Sequence, residues 1–263
     1  MGVLQRIALC YGVAALLIHF LKIRTAVIIT IILLIGYWFL LMIFGEQGNE
    51  FTMAGNIGHQ IDLWLMGEKH LYHGEGIAFD PEGWLSTLPA IGNVVGGYLA
   101  GKFIQENMQK GDASGQGKIY RGLTKLMLAG LALVAIAYFW DLSFPINKKL
   151  WTSSFVLYTV GLDCIIISVV IYIINILQKT RWAYFFEVFG KNPLTIYLLS
   201  ELLVTVLYII HVDKKTPLYR WIYDNIFHYA GAYLGSFLFA IAYMLLCWSV
   251  GYWMDKKKIY LRL

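Results

Sequence analysis

Long apolar stretches recur along the chain and are separated by short polar segments. Each stretch holds roughly 20 mainly apolar residues, the length that a helix needs to cross a hydrocarbon core about 30 Å thick. Because a backbone in lipid must satisfy its own polar groups, such stretches favour helices. The pattern predicts an all-α fold, a polytopic transmembrane bundle of about seven spans, at 3–21, 25–44, 84–104, 123–142, 152–177, 192–211 and 233–254.

One polar segment, 45–83, is longer than the others and is expected to form an outer loop. Within it Ile57, Ile61, Trp64 and Leu65 fall on one face of a helix. The pattern predicts an interfacial helix over the mouth of the bundle. A loop helix packed on the rim of the protein is the alternative.

The composition supports the membrane interpretation. Hydrophobic residues make up 59% of the chain and charged residues 14%, with a mean hydropathy of +0.63, whereas soluble proteins are about 25% charged. We therefore expect one domain over 1–263, with the lipid bilayer as its partner. Three cysteines, Cys10, Cys164 and Cys247, lie inside spans and are expected to be small core residues.

The Lys and Arg residues sit mostly in short loops, which is how membrane topology is encoded. The acidic segment 45–83 has seven carboxylates and one basic residue, so it is expected outside the cell. Lys148, Lys149, Lys214 and Lys215 weaken this rule locally. The predicted cytoplasmic segments are Lys22 with Arg24, 106–122, Lys179 with Arg181, and 256–258.

This alternation places the N-terminus outside and the C-terminus inside, in a membrane of the bacterial inner (cytoplasmic) type. The formal charge of +5 therefore reflects topology, and no nucleic-acid partner is expected. Three histidines, His59, His70 and His73, lie in the outer segment, but their spacing is weak support for a ligand set, and no metal site is expected.

Polar side chains inside spans are the first candidates for function, because each costs several kcal/mol if it is buried without a partner. Arg6 lies near the start of the first span, Asn93 in the middle of the third, Asp163 in the fifth and Glu201 in the sixth. Either they form ion pairs and hydrogen bonds between helices, or they line a functional pathway.

The entry to the third span carries a second group of candidates. Asp80 suits an N-cap there and Pro81 the first helical position. Ser86, Thr87 and the helix-breaking Pro89 follow one turn lower, where freed backbone groups could face a ligand cavity. Capping and a local kink are the alternatives.

The turn before the fifth span combines amide, basic, aromatic and hydroxyl side chains in Asn147, Lys148, Trp151, Thr152 and Ser153. Thr152 or Ser153 can cap the helix, and the lysine can anchor the interface. The same residues could offer hydrogen bonds and an aromatic platform to a sugar.

The sixth span begins with Asn192 as a cap and Pro193 in the first turn, beside Lys191. A helix N-terminus next to a lysine favours phosphate groups. Ordinary capping is the alternative.

These motifs resemble the heparan-alpha-glucosaminide N-acetyltransferase family and its bacterial relatives. The resemblance implies a transmembrane acyltransferase that uses acetyl-CoA from the cytoplasm and acetylates the amine of a terminal glucosamine on the other side. The matching stretches follow the family's order and are 2–11, 79–83 with 86–89, 147–148 with 150–154, and 190–197.

The resemblance also implies positions along the pathway. It places Arg6, Asp80, Glu82, Trp151, Thr152 and Ser153 in the outer half of the bundle, near the acceptor mouth. Asn192 would lie in the inner half, where the nucleotide part of CoA enters. The full set of candidates for the substrate and acyl-donor pathway is Arg6, Asp80, Glu82, Ser86, Thr87, Asn93, Asn147, Lys148, Trp151, Thr152, Ser153, Asp163, Asn192 and Glu201.

The chain departs from the family pattern at its start. In the family, about three helices and an outer loop with the histidine associated with catalysis precede the motif at 2–11, and the chain begins at that motif. His59, His70 and His73 do not match that histidine, so the catalytic residue is unknown. The bundle would then need a homo-oligomer or a separate N-terminal partner.

A second function stays open on the same scaffold. A non-enzymatic transporter, or a membrane assembly partner, could use Asp163 and Glu201 in a proton or substrate pathway.

Overall fold

The structure is a computed structural model and describes residues 2–74, 76–107, 115–213 and 216–261. Several residues used in the topology prediction lie outside the described residues: Glu75, Lys110, Lys214, Lys215, and the two terminal residues Met1 and Leu263.

The regular structure of the described residues is almost entirely helical, which confirms the all-α prediction. The exception is a small antiparallel pair, β1 (His211–Asp213) with β2 (Thr216–Pro217). The helices are α1 (Val3–Phe20), α2 (Ile23–Phe44), α3 (Ile57–Met66), α4 (Thr87–Asn107), α5 (Gly115–Asp141), α6 (Ser153–Ile171), α7 (Ala183–Lys191), α8 (Pro193–Ile209), α9 (Leu218–Ile222) and α10 (Ala232–Lys256).

Each of the seven predicted spans contains a helix, but fewer pass as membrane spans by length and composition. Among the described residues five do so, namely α1, α2, α5, α6 and α10. The pair α7 and α8 bends by 83° and makes a sixth if it counts as one span. These apolar helices make the chain an integral membrane protein.

The predicted third span, α4, is the helix that is missing from the apolar set. It has 21 residues and is therefore about 32 Å long, but Asn93, Lys102 and its glycines lower its hydropathy. Its position explains how it tolerates Asn93. Helix α4 packs against α1, α2, α5 and α6, and the Asn93 side chain donates to the Thr159 hydroxyl of α6. The Lys102 side chain stays 38% exposed.

The chain divides into two compact units, Met1–Tyr172 and Ile173–Leu263. In the first unit, α1 and α4 meet through Cys10, Ala14, Ala90, Ile91 and Val95. A second core cluster joins α2 to the loop before α6 through Tyr37, Leu41 and Phe144. The three cysteines are free and buried, as predicted.

Helices α5 and α6 cross at two facing glycines. A Cβ added to Gly130 would lie 2.7 Å from the Gly161 carbonyl oxygen, and one added to Gly161 would lie 2.8 Å from the Gly130 carbonyl oxygen. Small residues let helix backbones approach closely in membranes. This pair therefore sets the closest approach of the α5–α6 hairpin.

The predicted helix in the outer segment forms as α3. Its side chains Trp64 and Leu65 are 83% and 51% exposed, while Gly58 and Asp62 are buried. An outward apolar face is typical of a helix at a membrane interface. The opposite face of the helix packs on the protein, where Asp62 is buried.

The second unit contains α7 to α10. The ring of Phe185 in α7 stacks on Trp248 in α10, with centroids 5.4 Å apart, and the Trp248 indole N–H donates to the Phe185 carbonyl at 3.0 Å. Gly251 of α10 is buried against Ile196 of α8. Aromatic and small residues thus hold these helices together.

Candidate functional site

Arg6 is the centre of a polar network at one end of the first unit. Its side chain is 5% exposed, although it belongs to an apolar helix. Its Nη1 donates to the Pro81 carbonyl at 2.8 Å and its Nη2 to the Ser86 carbonyl at 2.7 Å. The Nε–H is buried without a partner among the described residues.

The backbone that Arg6 holds is a tight turn before α4. The Asp80 carboxylate accepts from the Glu82 N–H at 2.9 Å, and the Gly83 N–H donates to the Asp80 carbonyl. The Ser86 and Thr87 hydroxyls both donate to the Gly83 carbonyl at 3.0 Å. Side chains therefore supply many of the hydrogen-bond partners that the backbone of this turn needs.

Two predictions for this segment are wrong. Asp80 does not cap the third span, because the helix begins at Thr87 and Asp80 instead closes the turn at Glu82. Pro89 does not break the helix, because it lies in the first turn, where a missing N–H costs nothing.

Asp62 of α3 fastens the outer segment to the same turn. Its carboxylate accepts from the Trp84 N–H at 3.0 Å and is 2% exposed. Gly83 lies against it, and a Cβ there would come within 2.1 Å of Asp62 Oδ2. Burial raises the pKa of Asp62 to about 6, while the bond from Trp84 acts in the opposite direction.

Trp151 connects Arg6 to the third span. The Arg6 guanidinium lies over the Trp151 ring at 4.2 Å from its centroid, a cation–π contact. The indole N–H donates to Asn93 Oδ1 at 2.9 Å, and Asn93 Nδ2 donates to the Thr159 hydroxyl at 3.0 Å. Trp151 has a φ of 52°, a left-handed conformation that is strained for a bulky residue.

The turn before α6 is held by its own side chains. Thr152 is the N-cap, as predicted, and its hydroxyl accepts from the Phe155 N–H. Asn147 Oδ1 accepts from the Lys149 N–H at 2.9 Å, and the Ser153 hydroxyl donates to the Leu34 carbonyl of α2 at 2.7 Å. Hydrogen bonds before and after Trp151 in the sequence thus hold this turn in place.

None of the hydroxyls in this network is free to act as a nucleophile. Each donates to a backbone carbonyl, which is the ordinary structural use of a buried hydroxyl. The hydroxyls and their acceptors are Ser86 and Thr87 to Gly83, Thr152 and Ser154 to Pro145, and Ser153 to Leu34.

A small cavity adjoins the network. It holds about 10 Å³, roughly the space of one water molecule. Its wall includes His59, Asp62, Asp80 and Ser86. His59 Nδ1 is buried and unpartnered among the described residues, and burial lowers the pKa of this imidazole, so it is neutral near pH 7. A neutral imidazole can accept a proton.

The structure brings most of the predicted candidates of the first unit together. Arg6, Asp80, Ser86, Asn93 and Trp151 form one connected set. Around it lie Glu82 and Thr87 in the turn before α4, and Asn147, Thr152 and Ser153 in the turn before α6.

Two predicted residues of this unit do not take part. Lys148 is exposed in the loop before α6. The Asp163 side chain is exposed on α6 and forms no hydrogen bond or ion pair with any described residue. The interpretation of Asp163 as a buried ion pair is therefore wrong within the described residues.

Asn192 and Glu201 belong to the second unit. Asn192 does not cap α8 with its side chain. Instead Nδ2 donates to the Ile259 carbonyl at 3.0 Å and Oδ1 accepts from the Leu261 N–H at 2.9 Å. The Glu201 side chain is exposed and forms no hydrogen bond or ion pair with a described residue, while its backbone carbonyl accepts from the Thr205 hydroxyl at 2.9 Å.

The lysine beside Asn192 is already paired. Lys191 Nζ lies 2.9 Å from Asp255 Oδ1 and 3.0 Å from Glu187 Oε1. The Tyr184 and Tyr260 hydroxyls also donate to the Asp255 carboxylate. This arrangement holds the segment from Asp255 to Tyr260 against the bend between α7 and α8. Because Lys191 is already paired with two carboxylates, its attraction for a phosphate group is weaker.

Sequence reasoning missed three members of the site. Tyr37 donates to the Leu150 carbonyl at 2.7 Å from within α2. Thr159 accepts from Asn93, and Asp62 holds Trp84. None of the three had a clear sequence signal, because Asp62 lies in a segment that is acidic throughout, and Tyr37 and Thr159 are ordinary residues of apolar helices.

No protein-family model matches the chain, and no curated protein matches it either. In the part of the chain that the structure describes, no three His, Cys, Asp or Glu side chains lie close enough to hold a metal ion.

Proposed function

We propose that this chain is a membrane-embedded acetyltransferase that moves acetyl from cytoplasmic acetyl-CoA to a glucosamine-type amino sugar on the extracytoplasmic side. The observation that carries the proposal is the contact between three sequence motifs. Arg6 comes from the first, the carbonyls of Pro81 and Ser86 from the second, and Trp151 from the third. Residues far apart in sequence thus build one site.

The chemistry of acetyl transfer fits a site of this kind. The sugar ammonium first loses a proton, and the free amine then attacks the thioester carbonyl. A C–N bond forms, the C–S bond breaks, and CoA leaves as a thiolate that takes up a proton. The network offers proton acceptors beside its cavity, namely the carboxylate of Asp80 and the neutral imidazole of His59.

The polar network also supplies fixed groups for the acceptor. Indole rings and amide groups are common partners for sugars, because they combine an apolar face with hydrogen bonds. Trp151 and Asn93 are an indole and an amide of this kind, and the hydrogen bonds from Trp151 to Asn93 and from Asn93 to Thr159 hold them in position. A bound sugar would exchange its own hydrogen bonds for these. Such preorganisation lowers the cost of bringing donor and acceptor together.

The test is a two-sided assay with the 263-residue chain in proteoliposomes. Labelled acetyl-CoA is supplied on one side and glucosamine on the other, and both bound acetyl-CoA and labelled N-acetylglucosamine are measured. We expect Asn93→Ala to lower product formation about tenfold or more. Asn107→Ala is the matched control, since Asn107 ends α4 away from the network. If the unmodified chain shows no acetyl-CoA binding and forms no product, the proposal is contradicted.

A non-enzymatic transporter or assembly partner is the second candidate. The exposed carboxylates of Asp163 and Glu201, which have no ion pair among the described residues, favour it, because a charge in the middle of an apolar helix is costly and usually functional. Substrate or proton flux that is lost in Asp163→Asn and Glu201→Gln would support this candidate. Flux that is the same in both variants would count against it.

A further inference from the structure

A large apolar cavity lies between α2, α4, α5 and α6 of the first unit, apart from the polar network. Its volume is about 420 Å³. Along α4 it extends from Gly92 to Phe103, which at 1.5 Å per residue is about 16 Å. The cavity is therefore a slot that runs along the helices.

The wall of this slot offers almost no hydrogen bonds. Its uncharged polar side chains are Thr30 and Cys164. The Thr30 hydroxyl already donates to the Ala26 carbonyl at 2.9 Å, and Cys164 is a buried free thiol. An amide placed in such a slot would be left without hydrogen-bond partners, which is unfavourable for each buried polar group. This disfavours the pantetheine arm of CoA, with its two amides, and favours an alkyl chain.

One end of the slot is positively charged. Lys125 lines the cavity, and Arg121 and Lys118 follow it toward the start of α5. Spacings of three and four residues put the three side chains on one helical face. All three are exposed, and none forms an ion pair with a described residue.

We propose that the slot binds an acyl chain of an anionic glycerophospholipid, whose phosphate is held by Lys118, Arg121 and Lys125. An alkyl chain matches the apolar wall, and an anionic headgroup matches the three cations, which have no ion pair among the described residues. Bulk lipid is as apolar as the slot, so the headgroup charge provides the selectivity. This inference does not depend on acetyl transfer.

The position of Lys125 suits this role. It lies near the start of the predicted span 123–142, so its four-carbon stem can follow the apolar wall while the ammonium reaches the headgroups. A basic residue near an anionic membrane surface contributes about 1 kcal/mol, which corresponds to about a fivefold change in affinity.

Lipid titration of the purified full chain in neutral detergent tests whether the basic side chains bind the lipid phosphate. Native mass spectrometry counts the bound lipids. We expect phosphatidylglycerol to bind at least tenfold more tightly than phosphatidylcholine with the same acyl chains. Lys125→Gln should weaken phosphatidylglycerol binding about fivefold and leave phosphatidylcholine binding unchanged. Lys179→Gln, an exposed lysine of the second unit, should change neither.

The slot is tested by filling it. Ala129 lines the cavity on α5, and Ala129→Phe should lower phosphatidylglycerol binding by tenfold or more. Ala135→Phe is the matched control, because Ala135 is exposed on the same helix and does not line the cavity. Thermal unfolding followed by tryptophan fluorescence identifies any variant that fails to fold. If Ala129→Phe fails to fold, the affinities measured with Lys125→Gln test the proposal.

Three outcomes would overturn the proposal. The first is equal affinity for the two lipids. The second is phosphatidylglycerol binding that persists at full strength in folded Lys125→Gln and Ala129→Phe. The third is displacement of the bound lipid by acetyl-CoA alone, which would assign the slot to a thioester donor.

Discussion

Arg6 illustrates how a single charged residue can be stabilised within an apolar helix. The guanidinium has a planar fork of donors, and here two of them reach carbonyls of the same turn at 2.8 and 2.7 Å while the plane covers Trp151. The charge is thus neutralised by dipoles and a π face. Arg6 fixes the turn before α4 from a helix about 75 residues away in sequence.

Replacing Arg6 by Lys should destabilise the first unit. An ammonium cannot donate to both carbonyls and also stack on an indole, so about 2–4 kcal/mol of stability should be lost. Thermal unfolding in detergent measures the change. Arg24→Lys is the matched control, because Arg24 is exposed at the start of α2. Equal unfolding midpoints for the two variants would show that the Arg6 contacts contribute little.

Asp62 should make stability depend on pH. Its folded pKa of about 6 lies above the ordinary value of 3.8 because the carboxyl is buried. The folded chain therefore binds this proton more tightly than the unfolded chain, so stability from protonated Asp62 is present below about pH 4 and is lost as the pH rises to about 6.

The variant Asp62→Asn keeps an acceptor for the Trp84 N–H but cannot ionise. The free energy of unfolding of Asp62→Asn minus that of the unmodified chain should therefore increase by on the order of 2–3 kcal/mol between pH 4 and pH 7. Denaturant titrations at several pH values measure this difference, in which the contributions of other groups cancel. A difference that falls with rising pH would mean that the Asp62 pKa is lowered.

The sequence identified part of this site, and the reason differs from residue to residue. Arg6 and Asn93 stand out because polar groups in apolar spans need partners, and Trp151 because it lies in a turn that combines amide, basic and hydroxyl side chains. Asp62 does not, because the outer segment is acidic throughout and its partner, the Trp84 N–H, belongs to the backbone. Tyr37 was also invisible, since a tyrosine in an apolar helix is ordinary.

At the scale of elements, the α5–α6 hairpin depends on its facing glycines. Gly161→Ala should lose about 1–3 kcal/mol, because the new methyl meets backbone and the helices must separate. Gly101→Ala on α4 is the control: nothing lies within 4 Å of its Cβ position, and the change should be neutral or stabilise the helix by up to about 1 kcal/mol. Thermal unfolding of both variants measures the difference. Similar losses would mean that close approach at Gly161 is not required.

The hydrophobic pattern predicted the existence of the helices more accurately than their first residues. The third span begins at Thr87 rather than at 84, because Asp62 takes the Trp84 N–H and two hydroxyls take the Gly83 carbonyl. Helix α7 was not predicted, because the residues between the spans 152–177 and 192–211 were interpreted as a basic turn with Lys179 and Arg181. The bend between α7 and α8 has a local cause: Asn192 precedes Pro193, and a residue before proline avoids helical geometry.

At the scale of the whole molecule, polar chemistry divides between the two ends of the first unit. One end contains Arg6, the turn before α4 and the turn before α6, joined through Trp151. The opposite end contains the turn between α1 and α2 and the start of α5, where exposed Lys and Arg residues gather. Basic loops on one side are what the charge rule associates with the cytoplasm.

This division makes the orientation testable with two single substitutions. Lys148 lies in the loop between α5 and α6, and Lys22 lies in the turn between α1 and α2, at the other end; both are exposed. In intact cells, a membrane-impermeant maleimide should label Lys148→Cys at once. It should label Lys22→Cys only after permeabilisation, because the charge rule predicts a cytoplasmic position for the basic turn.

The native cysteines provide the background for this experiment. Cys10, Cys164 and Cys247 are buried, so the unmodified chain should stay unlabelled under both conditions. The reverse pattern, with Lys22→Cys labelled from outside, would place the Arg6 network on the cytoplasmic side. The proposed transfer would then be wrong in direction, since the acceptor sugar could not reach the site from outside. Labelling therefore tests the functional proposal without any assay of catalysis.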